Sequence, residues 1–461
     1  MMNRVTKEFL EECVGADDRL RTVVNRVSLP DAYAKTYGKA LLPRPVFVED
    51  TEIRGFADDL TQLFDILASL PQRLFDGDLR RYAASLGIGE ELATIMLRGA
   101  TGHVPVHGRA DAYHDGTAFK LLEFNIGSEL GGMDAAAMNC AFLQVPAFHR
   151  FAERHGLTYV DTAERVARVL REAARPVTGD RTPVVALLEA TGGLAEAEHL
   201  FPAIANSMNA HDIDMRLGEV HQVRTKEGKL TLNGTPIDLV LRFFSSDQIL
   251  TGSGGVEVLD PILRAHADGK TVLFTTLEAA MSASKSALAL LSDNRLHSFY
   301  SASELDVIDR VVPWTRLLVD GPLHKRIEGV HLLDYCCLNQ EQLILKPGVG
   351  YGGVGALIGG EATSAEWRAA LSAAVGRGYV VQQIVTAAPE PVCDPRTGRI
   401  EDWSANWGVF ITDEGYAGSF VRALKAEDGA VISYSNKGTR GAPVFSYTEG
   451  RSTALPHERK S

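Results

Sequence analysis

Residues 108–136 read GRADAYHDGTAFKLLEFNIGSELGGMDAA, and how the two runs in this stretch pair decides the fold. The runs are β-rich, and the Asp-Gly at 115–116 between them is a strong hairpin signal. Strand residues alternate between two faces, so Arg109 and Asp111 share one face of the first run. Leu121, Glu123 and Asn125 share one face of the second. A two-residue loop, Asp115-Gly116, would turn Glu123 away from Asp111. A three-residue loop, Asp115-Gly116-Thr117, sets Arg109 opposite Glu123 and Asp111 opposite Leu121, and brings all four polar residues to one face. The reading predicts the three-residue loop, with Gly116 left-handed. Charged residues on a strand face are usually just solvated. Here Glu123 lies inside LLEFNI, whose Leu and Phe imply partial burial, and a buried carboxylate needs a partner.

The rest of the chain bounds what that partner is. At 461 residues there is room for two or three domains, and 45% hydrophobic with 23% charged residues is ordinary for a globular protein. A formal net charge of −12 argues against a nucleic-acid partner. No apolar run reaches the roughly 18 residues of a membrane span. MMNRVTKEFLEECV is amphipathic and carries acids, unlike a signal peptide. The five cysteines form no CxxC pair, which speaks against a zinc site; their odd number and the lack of a secretion signal favour a cytoplasmic location.

Pattern divides the chain into four parts. Residues 1–100 read as a helical segment, with FADDLTQLFDILASLPQRLF and 78–86 at helical spacing. Residues 101–175 hold the hairpin and a long helical stretch over 133–174. Short β-rich runs over 176–280 (TPVVALLEATGG, IDMRLGEVHQV, DLVLRFFS, KTVLFTT) alternate with helical or Gly-rich segments, an open α/β unit on the expected substrate side. Residues 281–461 read as a helix bearing Lys285, a strand–glycine loop–strand over 341–359, a helix over 364–377, a strand over 379–385, two further strands and a polar, partly mobile tail. The fold class is mixed α+β and α/β.

LILKPGVGYGGVGALIGG contains GxGxxG at Gly348, Gly350 and Gly353. No helix follows, so it is not the dinucleotide fingerprint, and no Lys follows the last Gly, so it is not a Walker loop. What remains is a strand ending in Lys346, a flexible loop and a second strand. Backbone N–H groups of such a loop fold over phosphates while the lysine contacts them. One helix later, the edge of YVVQQIV (379–385) would offer Gln382, Gln383 and Ile384 to an adenine.

Together these residues resemble the circularly permuted ATP-grasp ligases, of which glutathionylspermidine synthetase is the best-known member and to which peptide ligases of the pheganomycin type are similar. The resemblance rests on Arg-x-Asp followed by Glu-x-Asn twelve residues beyond the Asp, with the lysines and glycine loop after the carboxylates rather than before. It implies an ATP-grasp architecture in permuted order. It implies Asp111, Glu123 and Asn125 as ligands of Mg²⁺, as a pair of ions, and Arg109 as the catalytic stabiliser of developing charge. Lys285, Lys346, Gly350, Gly352, Gly353, Gln382, Gln383 and Ile384 would bind ATP, while Ser128 and Arg422 would hold the substrate. The implied reaction joins the carboxylate of an amino acid or short peptide to an amine through an acyl phosphate, forming ADP. Alternatives are a nucleotide-binding regulatory protein without ligase activity and a small-molecule kinase. The partners implied are small molecules, with neither nucleic acid nor membrane.

Overall fold

The computed structural model describes residues 2–15, 18–38, 40–196, 198–319, 321, 331–350, 354–429, 432–434 and 436–449. The hairpin forms one end of the largest sheet. Its strands, in spatial order, are Val46–Glu49, Arg440–Tyr447, Gly415–Lys425, Ile400–Thr412, His107–His114 and Phe119–Ile126, with Glu390–Cys393 also paired to Ile400–Thr412. All neighbours are antiparallel except Val46–Glu49 with Arg440–Tyr447. Two of these strands depart from the sequence reading. Val46–Glu49 lies in the segment that reads as helical, and Arg440–Tyr447 in the stretch that reads as a mobile tail. Both are short apolar runs that gain strand geometry from pairing with each other, a non-local contact that a local pattern does not carry.

The helix Asp50–Phe75 crosses one face of this sheet and buries Ile53, Phe56, Leu60, Phe64 and Leu67, an i, i+3, i+4 stripe. Phe56 stacks on Phe119 at 4.8 Å, and Phe119 meets Trp407 edge-on at 5.2 Å. One side of the sheet therefore packs on this core; the other packs Phe47, Phe410, Phe420 and Phe445 against the helices that follow the hairpin, and its hairpin end carries polar residues. The stretch 133–174 is three helices, not one: Ala136–Leu143, Pro146–His155 and Thr162–Thr178. Left-handed Gly156 and the Asp161 N-cap make the second break.

Residues 184–274 form a parallel sheet in the order Val272–Phe274, Leu239–Arg242, Val184–Glu189, Asp214–Glu219. This is an open α/β arrangement with its topological switch beside Val184–Glu189. A third sheet, in the order Thr315–Leu317, Tyr379–Gln383, Leu343–Pro347, Leu357–Ile358, carries the lysine strand and is antiparallel throughout. Residues 281–447 thus serve two sheets: 315–383 build the third and 390–447 return to the first. No helix among the described residues is long and apolar enough to cross a membrane.

Candidate functional site

The hairpin brings the polar residues together by a route different from the expected one. His114 pairs with Phe119, so the turn spans four residues, 115–118, rather than three. It closes with Asp115 N donating to Ala118 O at 3.0 Å, while the Asp115 carboxylate accepts from Thr117 N and Ala118 N. That register alone would set Asp111 opposite Leu122. A bulge between Asp111 and Ala112 absorbs one residue of the opposite strand, so Asp111 faces Glu123 and Arg109 faces Asn125. The expected pairs, Arg109 with Glu123 and Asp111 with Leu121, do not form. The expected common face does, and Arg109, Asp111, Glu123 and Asn125 all line one cleft.

Two carboxylates directly across a strand pair repel, and cations converge on them. Asp111 is buried and takes Arg109 Nε on one oxygen at 3.0 Å and Arg422 on the other at 2.6 Å. Burial alone would raise its pKa; the two guanidiniums outweigh burial and hold it below the usual carboxylate range. Arg109 also donates to Gly131 O at 2.9 Å. The Phe420 ring is in cation–π range of both guanidiniums, 6.0 Å from that of Arg109 and 5.9 Å from that of Arg422. Gly408 makes room for the ring: a Cβ there would come within 2.8 Å of it.

The opposite wall is the lysine strand. Lys346 donates to Gln382 Oε1 at 2.7 Å, and Gln382 donates on to Thr315 Oγ1 at 3.1 Å. Burial is the main reason the Lys346 pKa falls to about 8; Lys285 lowers it further, while Glu123 and Asp111 oppose the fall. Lys285 opens the helix Lys285–Ser292 and bonds Glu123 Oε2 at 2.9 Å and Gly350 O at 2.9 Å. Gly348 is required for packing rather than for phosphate, since a Cβ there would sit 2.3 Å from both Gly378 O and Ser286 Oγ. Gly352 and Gly353 lie outside the described residues.

Three expectations change. The strand Tyr379–Gln383 is paired on both sides rather than at an edge, with Gln383 N bound to Trp314 O and Ile384 N to Gln342 O. Gln382, Gln383 and Ile384 do line the cleft, but the Gln382 side chain is committed to Lys346. Ser128 is fully buried outside the cleft; it donates to Arg242 O at 2.7 Å and accepts from Thr275 N at 3.0 Å, joining the hairpin to the parallel sheet. Sequence reasoning also missed Asn406, the cross-strand partner of Arg422, which lines the cleft, is buried and has no hydrogen-bond partner on Oδ1 among the described residues. Only the pairing of Ile400–Thr412 with Gly415–Lys425 singles it out.

The donor set suits a hard divalent cation. Among the described residues no group of three or more His, Cys, Asp or Glu is placed to hold a metal ion. An ion here would rest on Glu123, the Asn125 amide and an Asp111 oxygen shared with an arginine, few protein oxygens, as suits Mg²⁺ that keeps phosphate and water in its shell. Four cations, Arg109, Arg422, Lys285 and Lys346, line the cleft with two carboxylates. That excess of two positive charges in a chain of net charge −12 is a local anion site.

A second buried carboxyl lies at the topological switch of the parallel sheet. Glu189 ends its strand 7% exposed and accepts from Ala190 N at 2.9 Å. Burial, with Glu196, Glu219 and Glu129 adding to it against the Ala190 bond, raises its pKa to about 7 from 4.5. The folded chain therefore holds a proton that the unfolded chain has lost, and stability falls as pH rises from about 4.5 through about 7. Glu189→Gln is expected to flatten that slope. The variant should be more stable than the parent by roughly 2–4 kcal/mol above about pH 8 and equal to it below about pH 4. Urea unfolding across that range checks it, and a parallel pair of curves would refute it.

No protein-family model and no curated protein matches the chain. Among solved structures it is similar to a glutathione synthetase-like effector, GSS30, from Globodera pallida, determined in its apo form. The two share 12% identity at a TM-score of 0.56, over 94% of this chain and 98% of that one. It is also similar to a putative gamma-glutamylcysteine synthetase from Methylobacillus flagellatus KT, at 13% identity and a TM-score of 0.43, over 86% of this chain and 89% of that one. The first likeness establishes a shared fold over nearly the whole length of both chains. The second is too distant to carry an argument.

Proposed function

We propose that the chain is an ATP-dependent carboxylate–amine ligase of the circularly permuted ATP-grasp type, working through an acyl phosphate. The observation that carries this is the cleft itself, where a glycine loop and two lysines on one wall face two opposed carboxylates, an amide and two arginines on the other. A merely structural hairpin has no need to oppose Asp111 to Glu123 and then neutralise them from three different elements. The shared fold with a glutathione synthetase-like protein is in keeping with ligase chemistry.

In this reading Lys285 and Lys346 take the phosphates of ATP, with Gly350 and its loop covering them. Asp111, Glu123 and Asn125 would hold Mg²⁺, which when bound offsets phosphate charge and aligns the γ-phosphoryl group. The donor carboxylate attacks that phosphorus, giving acyl phosphate and ADP. The amine then attacks the acyl carbon; the C–N bond forms, the C–O bond to phosphate breaks, and phosphate leaves with the electron pair. Arg109 and Arg422 face the charge that develops in both steps. Asp111 orients both guanidiniums and, being held below the usual carboxylate range, is no base; the proton that the attacking amine loses passes to the departing phosphate. A water-excluding loop protects the acyl phosphate from hydrolysis. Donor and acceptor, an amino acid or short peptide and an amine or peptide, approach from the 176–280 side, where open α/β sheets bind ligands at their switch points.

A hydroxylamine trap tests the reading. Protein, Mg-ATP, pooled amino acids and short peptides are incubated with hydroxylamine, and hydroxamate and nucleotide products are identified. Hydroxamate with ADP is expected. Hydroxamate with AMP would mean adenylation, and a stable phosphate ester would mean a kinase; either overturns the proposal.

A further inference from the structure

Lys285 makes three contacts that belong to different parts of the cleft. Its backbone N donates to Gly348 O at 2.8 Å, and its Nζ donates to Gly350 O at 2.9 Å, so it grips the glycine loop at two points. The same Nζ lies 2.9 Å from Glu123 Oε2, with both side chains largely withdrawn from solvent. Its backbone is fixed at the start of a helix whose cap, Ser284, accepts from Ala287 N at 3.1 Å. The neighbouring Lys346 has no such bond to Glu123, its ammonium being committed to Gln382.

A divalent cation and an ammonium group compete for the same carboxylate, because each needs its lone pairs and the two repel. A cation entering alone must expel Lys285 from Glu123 and leave it with only the Gly350 carbonyl. A polyphosphate removes that cost, since it offers the displaced ammonium an anionic partner. We propose that Lys285 is a positioning residue that denies Glu123 to a lone divalent cation and yields it when a polyphosphate arrives, so that cation and nucleotide enter as a pair. The inference rests on the nucleotide reading of the cleft.

The test is direct binding to the full chain, with Mn²⁺ as metal probe and ADP as nucleotide probe, each alone and together. Lys285→Met is expected to bind Mn²⁺ alone roughly three- to tenfold more tightly than the parent, as loss of a competing ion pair implies. The same variant should bind ADP more weakly. A residue that only contacts phosphate would lower the second affinity without raising the first. Lys285→Arg keeps the charge and should keep the parent's Mn²⁺ affinity. Lys346→Met controls for removal of a nearby cation and should raise Mn²⁺ affinity clearly less than Lys285→Met does, because its ammonium is bonded to Gln382 and not to the carboxylate. Should the Met variant fail to fold, Lys285→Gln carries the same expectation. Unchanged or weaker Mn²⁺ binding in the Lys285 variant, or an equal gain in Lys346→Met, overturns the inference while leaving the nucleotide site standing. A parent chain that binds neither ADP nor Mn²⁺ with ADP overturns the site reading and this inference together.

Discussion

Glu123→Gln is expected to abolish turnover in the hydroxamate assay while the protein stays folded. The substitution keeps the side-chain volume and one carbonyl oxygen and removes the charge that faces both Asp111 and Lys285. If Glu123 is a metal ligand, ADP formation should fall roughly a hundred- to ten-thousandfold, the loss that several kcal/mol of charge stabilisation implies. The stability cost should stay well below that of Asp111→Asn, because the Gln carbonyl can still accept from Lys285 and Lys285 keeps its bond to Gly350. Melting temperature and ADP release, measured on one preparation, separate the two effects. Activity within tenfold of the parent would show that Glu123 carries no metal.

This outcome depends on residues that the sequence itself makes legible. Arg109, Asp111, Glu123, Asn125, Lys285, Lys346 and Arg422 do converge on one cleft. The parts readable in sequence are those that local rules govern: side-chain alternation along a strand, Asp-Gly at a turn, glycines in series after a lysine. The route to convergence is not readable. The Leu122 bulge leaves no mark in LLEFNI, since an extra apolar residue beside Leu121 suits either register. One extra residue in the turn and one in the bulge cancel in the face that Glu123 takes. Ser128 shows the opposite failure. A hydroxyl three residues after Asn125 reads as substrate-facing, yet the chain turns at Gly127 (φ 142°) and uses it as a strut to the parallel sheet. Asn406, Gly408 and the pairing of Val46–Glu49 with Arg440–Tyr447 are long-range facts, fixed by contacts between segments up to about four hundred residues apart.

Asp111→Asn is expected to cost far more stability than Glu123→Gln, although both replace an acid with its amide. Asp111 is buried and is the carboxylate to which both Arg109 and Arg422 are bonded, one on each oxygen. Asn offers one acceptor oxygen and an NH₂ that clashes electrostatically with the second arginine. Two largely buried guanidiniums are then left facing each other without their counter-charge, a loss of roughly 3–5 kcal/mol for a broken buried ion pair. The pH dependence identifies the cause. The folded carboxyl titrates lower than the unfolded one, so its contribution is present above the unfolded value of 3.8 and is lost as pH falls through the lower folded value. The gap between parent and variant should therefore be full at neutral pH and close as the solution is acidified below about pH 4. Trp407, directly opposite Ala112 in the same sheet, reports the unfolding by its fluorescence in urea. A gap that persisted unchanged into acid would mean that the substituted amide fails through packing, and that the two arginines do not depend on the charge of Asp111.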